Sequence, residues 1–189
     1  GGAINNIGPR LTYTTSNQGQ FIPTTLVLGG LIGPRFSFNN NINLNFSLAY
    51  QINKLLVPTP PICDSSGSNI LYGHDPDVPV AVAMLQSFSD APDGFREEMR
   101  EYYHKFGFES RIVFFRSLYI AARAGAFLEN KYKGNRKYVT SGFAFGWYGF
   151  HVDFARIWTG PTSPLHNTYS FSFGATINLD DKWYRFAEK

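Results

Sequence analysis

Residues 41–53 alternate without a break. Ile42, Leu44, Phe46, Leu48, Tyr50 and Ile52 stand between Asn43, Asn45, Ser47, Ala49, Gln51 and Asn53. A helix would scatter these apolar side chains around its axis, whereas a strand puts all of them on one face. Ordinary strands run to about 5–6 residues, and a tilted strand crossing a bilayer needs about 9–11. The alternation is therefore long enough to cross hydrocarbon.

The pattern recurs along the chain. Leu26, Leu28, Ile32, Phe36 and Phe38 share one parity, with Gly30 and Pro34 interrupting. Leu118, Ile120, Ala122, Ala124, Ala126 and Leu128 form another stripe. So do Val139, Phe143, Phe145 and Trp147, then Phe150, Val152 and Phe154, then Tyr169, Phe171, Phe173, Ala175, Ile177 and Leu179. Weaker strands are predicted near residues 3–15 (Leu11, Tyr13) and 101–113 (Phe106, Phe108, Ile112), for about eight strands in all. A soluble sandwich would charge its second face. Here that face carries mostly Asn, Ser, Thr and Gly, and only 16% of the chain is charged against about 25% in soluble domains. An apolar band outside and a small-polar interior define an all-β, transmembrane antiparallel β-barrel.

Connections test this independently. Asn39–Asn41, Phe115–Ser117 and the Gly149 turn are short, while residues 15–23, 55–100, 130–136 and 158–167 are long, and the two kinds alternate. Outer-membrane barrels place short turns in the periplasm and long loops outside. The expected domain is residues 1–179, with an extracellular loop at 55–100 and both termini periplasmic. Residues 180–189 (Trp183, Tyr184, Phe186) are expected as a periplasmic or interfacial tail, where amphipathic rings settle. Within the last strand, Ser172, Gly174, Ile177 and Leu179 follow the order of a barrel-assembly signal.

The loop at 55–100 exceeds the roughly 12–15 residues of a passive connection. Val57-Pro58-Thr59-Pro60-Pro61 is stiffened by proline, 64–69 is rich in Ser and Gly, and 78–85 is apolar. Residues 95–103 are predicted to form a short helix with Phe95, Met99 and Tyr102 on one face. Such apolar segments fit a lid over the barrel mouth, a docking surface, or packing within the loop itself.

Three stretches in this order resemble one family: Asn53-Lys54-Leu55-Leu56-Val57-Pro58-Thr59-Pro60-Pro61, Gln86-Ser87-Phe88-Ser89-Asp90-Ala91-Pro92-Asp93-Gly94-Phe95, and Lys133-Gly134-Asn135-Arg136-Lys137-Tyr138. With Ala3–Pro9 and Phe21–Thr24, they are similar to the PorV family, outer-membrane proteins of the Bacteroidetes type IX secretion system. The resemblance implies a FadL-like barrel of fourteen strands, of which this chain would be the C-terminal part. It implies a non-enzymatic shuttle that takes cargo proteins, by their C-terminal signal domain, from the giant translocon barrel. The shuttle then presents them to the cell-surface attachment complex and its sortase PorU. The FadL likeness leaves open a transporter of hydrophobic small molecules.

The candidate sites follow from these readings. Large apolar groups carry most interface energy, so Leu85, Phe88, Pro92, Phe95 and Met99 are the expected partner- or cargo-binding residues. Lys131, Lys133, Arg136 and Lys137 form a basic hairpin tip, either solvated or placed to meet the phosphates of outer-membrane lipid and lipopolysaccharide. Arg123 and Glu129 are expected to share an interior charge network. His74, His104, His151 and His166 lack metal-ligand spacing, and no nucleophile elbow or phosphate loop occurs, so no catalytic residue, metal or cofactor is expected. Asp75, Asp77, Asp90 and Asp93 do not make the EF-hand spacing, and turn chemistry accounts for them. A net charge of +3, scattered along the chain, gives no case for nucleic acid.

Overall fold

A computed structural model of the chain describes residues 1–12, 19–39, 41–67, 69–115 and 117–176. Among these residues the protein is all-β and antiparallel in every pairing whose register is defined, with two short helical pieces. The strands are β1 (Gly2–Asn5), β2 (Thr25–Ile32), β3 (Arg35–Asn39), β4 (Ile42–Leu55), β5 (Ile62–Cys63), β6 (Ile70–Tyr72), β7 (Tyr102–Phe114), β8 (Leu118–Leu128), β9 (Lys137–Trp147), β10 (Phe150–Trp158) and β11 (Tyr169–Ala175). The helical pieces are α1 (Val80–Gln86) and α2 (Phe95–Glu98), the latter continued by a 3-10 turn at Met99–Glu101. Neighbours in the main sheet run β1-β2-β4-β7-β8-β9-β10-β11, with β3 also on β4, while β5 and β6 form a small hairpin. Among the described residues β1 and β11 do not pair with each other. The stripe expected over 26–38 is broken into β2 and β3 at Gly33-Pro34, because proline cannot donate to a ladder. Tyr13, Ile177, Leu179 and the tail 180–189 lie outside the described residues.

The chain divides into two compact units. One comprises Gly1–Leu31, Ala49–Phe106 and Ala126–Lys137; the other comprises Ile32–Leu48, Gly107–Gly125 and Tyr138–Lys189. In the second unit the short turns neighbour one another through backbone bonds. The Phe115 N–H donates to the Asn41 carbonyl, that of Tyr148 to Ser117, and that of Thr176 to Gly149, at 2.8, 2.9 and 2.8 Å. The β9–β10 turn has φ of 46° at Tyr148 and 86° at Gly149. Two consecutive positive φ values make a type I′ hairpin, whose twist matches that of the strands it joins.

The same unit shows which face is covered. Register pairs Phe154 with both Phe143 and Phe171, and Val152 with both Phe145 and Phe173, so these side chains share one face. That face is open: Phe143, Phe145, Phe171, Phe173, Ile120 and Phe38 are all exposed. On the opposite face Ala121 and Ala144 are buried. A Cβ at Gly146 would collide with the Tyr119 ring, and one at Gly174 with the His151 imidazole. Glycine thus lets large rings lie flat against neighbouring strands, the same device that stabilises glycine-bearing sheet positions elsewhere.

Gly146→Val should therefore destabilise the protein by about 1–3 kcal/mol through overpacking. Tyr119→Ala in the same chain should recover part of the loss. A double-mutant cycle on the temperature at which the heat-modifiable band shifts on electrophoresis measures both effects, and strict additivity would contradict the contact.

Candidate functional site

The first unit is organised around a buried cation. Lys54, near the end of β4, continues the parity of the apolar stripe, yet its side chain is 0% exposed. Its ammonium donates to Glu98 Oε2 at 2.9 Å and to Glu101 Oε2 at 2.7 Å. The Phe88 and Tyr102 rings also receive it, at 5.8 and 5.2 Å from their centroids. The other oxygens of the two carboxylates bind the loop to itself. Glu98 Oε1 accepts the Ala91 N–H at 2.8 Å, and Glu101 Oε1 accepts Thr59 Oγ1–H at 2.8 Å. Lys133, from the β8–β9 connection, donates to Glu97 at 2.7 Å and Glu101 at 2.9 Å. Asp90 accepts the Thr59 N–H through Oδ2 at 3.0 Å, while its buried Oδ1 has no hydrogen-bond partner. Thr59 from 57–60, Lys133 from 131–136 and Lys54 from β4 therefore all meet on Glu101.

These contacts set the protonation chemistry. Burial, with Glu98 and Glu101 nearby, pushes the Asp90 carboxyl up, against the pull of its Thr59 hydrogen bonds. The Lys133 ammonium and the Asp93 N–H hold Glu97 below the usual carboxylate range. Burial raises Glu101, but hydrogen bonds from Lys54, Lys133 and Thr59 outweigh it, so its pKa is also lowered. Asp90, Glu98 and Glu101 bring one oxygen each within 4.8 Å of one another. The Lys54 ammonium already serves Glu98 and Glu101 there.

The sequence-derived docking residues ride on this platform. Leu85 at the end of α1 is 76% exposed and Phe95 at the start of α2 is 79% exposed; Phe88 and Met99 are also exposed. Pro92 is half-buried. The helix expected over 95–103 is shorter, because β7 begins at Tyr102. Its buried side is the acidic one, Glu98 and Glu101 turning to Lys54 while Phe95 and Met99 stay open. Of the three residues expected on one helical face, Phe95 and Met99 stay exposed, while Tyr102, already in β7, turns its ring to Lys54.

The basic hairpin tip is largely engaged. Lys133 is spent on Glu97 and Glu101, and Arg136 on Glu129 at 2.7 Å. Lys131 stacks on Tyr132 at 4.7 Å, and Lys137 is exposed. Arg123 and Glu129 each sit in ion pairs of their own unit. Arg123 bonds Glu109 and Asp153 in the second unit, whereas Glu129 bonds Arg136 in the first. In the second unit Arg123 and Asp153, with Arg111, Tyr119 and His151, line a cavity of about 1070 Å³. Of the assembly-signal residues, Ser172 and Gly174 lie on β11 opposite Asp153 and His151, and Ile177 and Leu179 lie outside the described residues. His104 Nδ1 shares a 2.8 Å hydrogen bond with Tyr50 Oη–H, and Asp77 pairs with Arg10 at 2.7 Å. Cys63 is exposed on β5.

The fold and this site define a class: an all-β, antiparallel, barrel-like sheet protein with an exposed apolar stripe and a loop platform clamped by ion pairs. Residues 1–62 match the family model described as type IX secretion system protein PorV. A comparison with curated proteins gave no match. The matched segment contains the stretches Ala3–Pro9, Phe21–Thr24 and Asn53–Pro61; the other two stretches of the resemblance lie beyond it. The match supports involvement in type IX secretion and, with it, an outer-membrane setting. No helix among the described residues is long and apolar enough to cross a membrane.

Lys54→Met should strand Glu98 as a buried, unpaired charge and leave Glu101 with Lys133 as its one cation, a loss of about 3–5 kcal/mol by analogy with other broken buried pairs. Trypsin cleavage at Arg96 and Arg100 should accelerate at least tenfold. Equal cleavage in both proteins would remove Lys54 as the anchor.

Acidification should act in two steps of opposite sign. The raised Asp90 carboxyl opposes folding above its folded-state pKa, and that cost fades as pH falls and it protonates. The lowered Glu97 and Glu101 carboxyls stabilise above the ordinary value of 4.5 and lose that contribution as pH falls through their folded-state values. Asp90→Asn should thus raise loop protection at neutral pH, with the advantage gone in acid. A pH series of proteolysis rates measures it; an advantage growing in acid would reverse the assignment.

Proposed function

We propose that this chain acts as a non-enzymatic outer-membrane component of the type IX secretion system. It binds cargo proteins by their C-terminal signal domain at the translocon barrel and carries them to the attachment complex that contains the sortase PorU. In this reading residues 1–179 belong to the membrane β-barrel, the loop at 55–100 is extracellular, and 180–189 lie on the periplasmic side. The observation that carries it is the clamped loop. Long loops that merely connect are loosely held, but this one spends a buried lysine and three glutamates on fixing its position while leaving Leu85, Phe88, Phe95 and Met99 open. Rigid presentation of large apolar groups lowers the ordering cost of binding and suits a protein partner. The family match over residues 1–62 supplies the secretion context.

The test is a Phe88→Ser/Phe95→Ser double substitution. Copurification of cargo and translocon should fall at least fivefold while the heat-modifiable band is retained. Unchanged copurification would take the loop out of the reading.

A second reading, transport of a hydrophobic small molecule, is favoured by a cavity of about 460 Å³ in the first unit. Leu55, Val57, Pro58, Pro60 and Tyr103 line it, with Glu101, Lys133, Glu129 and Arg136 also present. That volume lies within the range of small-ligand sites. Saturable binding of a fluorescent long-chain fatty acid, abolished by Val57→Trp, would select it over the shuttle.

A further inference from the structure

The apolar face of the second unit carries one misfit. Register places Arg156 of β10 opposite Tyr169 of β11 and Ser141 of β9, on the same face as Phe143, Phe154 and Phe171. Among the described residues of β9–β11 in this unit, it is the only charged side chain with that parity. Its guanidinium lies 3.8 Å from the centroid of Trp158 and 5.1 Å from that of Tyr169. No carboxylate pairs with it among the described residues, and its Nε is buried without a hydrogen-bond partner. By contrast Arg10, Arg111, Arg123 and Arg136 each have a carboxylate within bonding distance. Beside Arg156 the exposed Ser141 hydroxyl accepts the Trp158 indole N–H at 2.7 Å, which leaves its own proton free to donate.

We propose that Arg156, Ser141, Trp158 and Tyr169 form a binding site for the phosphate of a membrane lipid. The inference rests on the reading that this face meets lipid. A lone arginine there needs an anion, and among the described residues no carboxylate pairs with it. A guanidinium offers several N–H donors in a planar fork that matches phosphate oxygens. Stacked on two rings it is already oriented, so little entropy is lost on binding. The position fits as well. Arg156 lies at the end of β10 next to the long 159–168 connection, and Trp158 and Tyr169 belong to the residue types that settle at the headgroup level. Nine residues of β10 at about 3.3 Å each span roughly 30 Å, so the other end of the strand, with Trp147 and Phe150, reaches the opposite interface.

The test uses the full chain in detergent, with bound lipid counted by native mass spectrometry. The probes are diphosphoryl lipid A and a phosphate-free glycolipid of equal acyl content, with inorganic phosphate as competitor. The wild type should retain diphosphoryl lipid A about tenfold better than the phosphate-free lipid. Arg156→Gln should erase that preference, and Arg156→Lys should keep part of it. Ser141→Ala, a smaller change, should lower it about threefold and serves should Arg156→Gln fail to assemble. An unchanged preference in both variants overturns the site. Full displacement by millimolar inorganic phosphate overturns its assignment to lipid. Cargo copurification by Arg156→Gln should stay at the wild-type level, so loss of the lipid site and failure of the shuttle reading give different results.

Discussion

The distribution of side chains between surface and interior constrains everything else in this protein. Among the described residues the largest fully buried side chains are Lys54, Asn53, Asp90 and Ser87, while Phe38, Phe143, Phe171 and Phe173 stand exposed. In water the hydrophobic effect would oppose that arrangement, at roughly 25 cal/mol for each Å² of apolar surface left uncovered. With hydrocarbon around the apolar stripe the objection vanishes. The polar face pairs its own charges across strands, as in the Arg123 ion pairs with Glu109 and Asp153.

The clamped loop obeys the same electrostatic rule at the strand ends. A buried ammonium is costly unless hydrogen-bonded to compensating charge. Lys54 obtains two carboxylates only if residues 98 and 101 come to it, and those carboxylates then bind Thr59, Ala91 and Lys133. Loop position is thereby a consequence of charge neutralisation. Exposure of Phe95 and Met99 follows, since the inward side of the short helix is occupied by glutamates. A platform of this kind is fixed in place yet apolar at its tip, which is what the proposed cargo reading requires of it.

Much of the sheet was legible in the sequence because period two is a local signal. Phe143 and Phe145, or Phe171 and Phe173, share a face whatever their neighbours do, and asparagine and glycine mark the turns at Asn39 and Gly149. The alternation of short and long connections read equally well, since three of the turns lie side by side through backbone bonds. The loop's exposed apolar residues could be named, but not their support. Lys54 with Glu98 and Glu101 are forty-odd positions apart, and the alternation puts Lys54 on the apolar side. Nor could spacing show that Arg123 pairs with Glu109 and Asp153, or that Arg136 is committed to Glu129.

The residues alone determined the strand periodicity, the face each side chain takes and the identity of the solvent that face can tolerate, because these depend on neighbours two positions away. Tertiary structure alone decided which charges meet, which face of the 95–101 segment is buried, and that Arg156 has Tyr169 and, among the described residues, no paired acid beside it. Those outcomes depend on contacts across dozens of residues. Pairing energies in a low-dielectric setting are large enough there to overrule local pattern, and no sequence spacing encodes them.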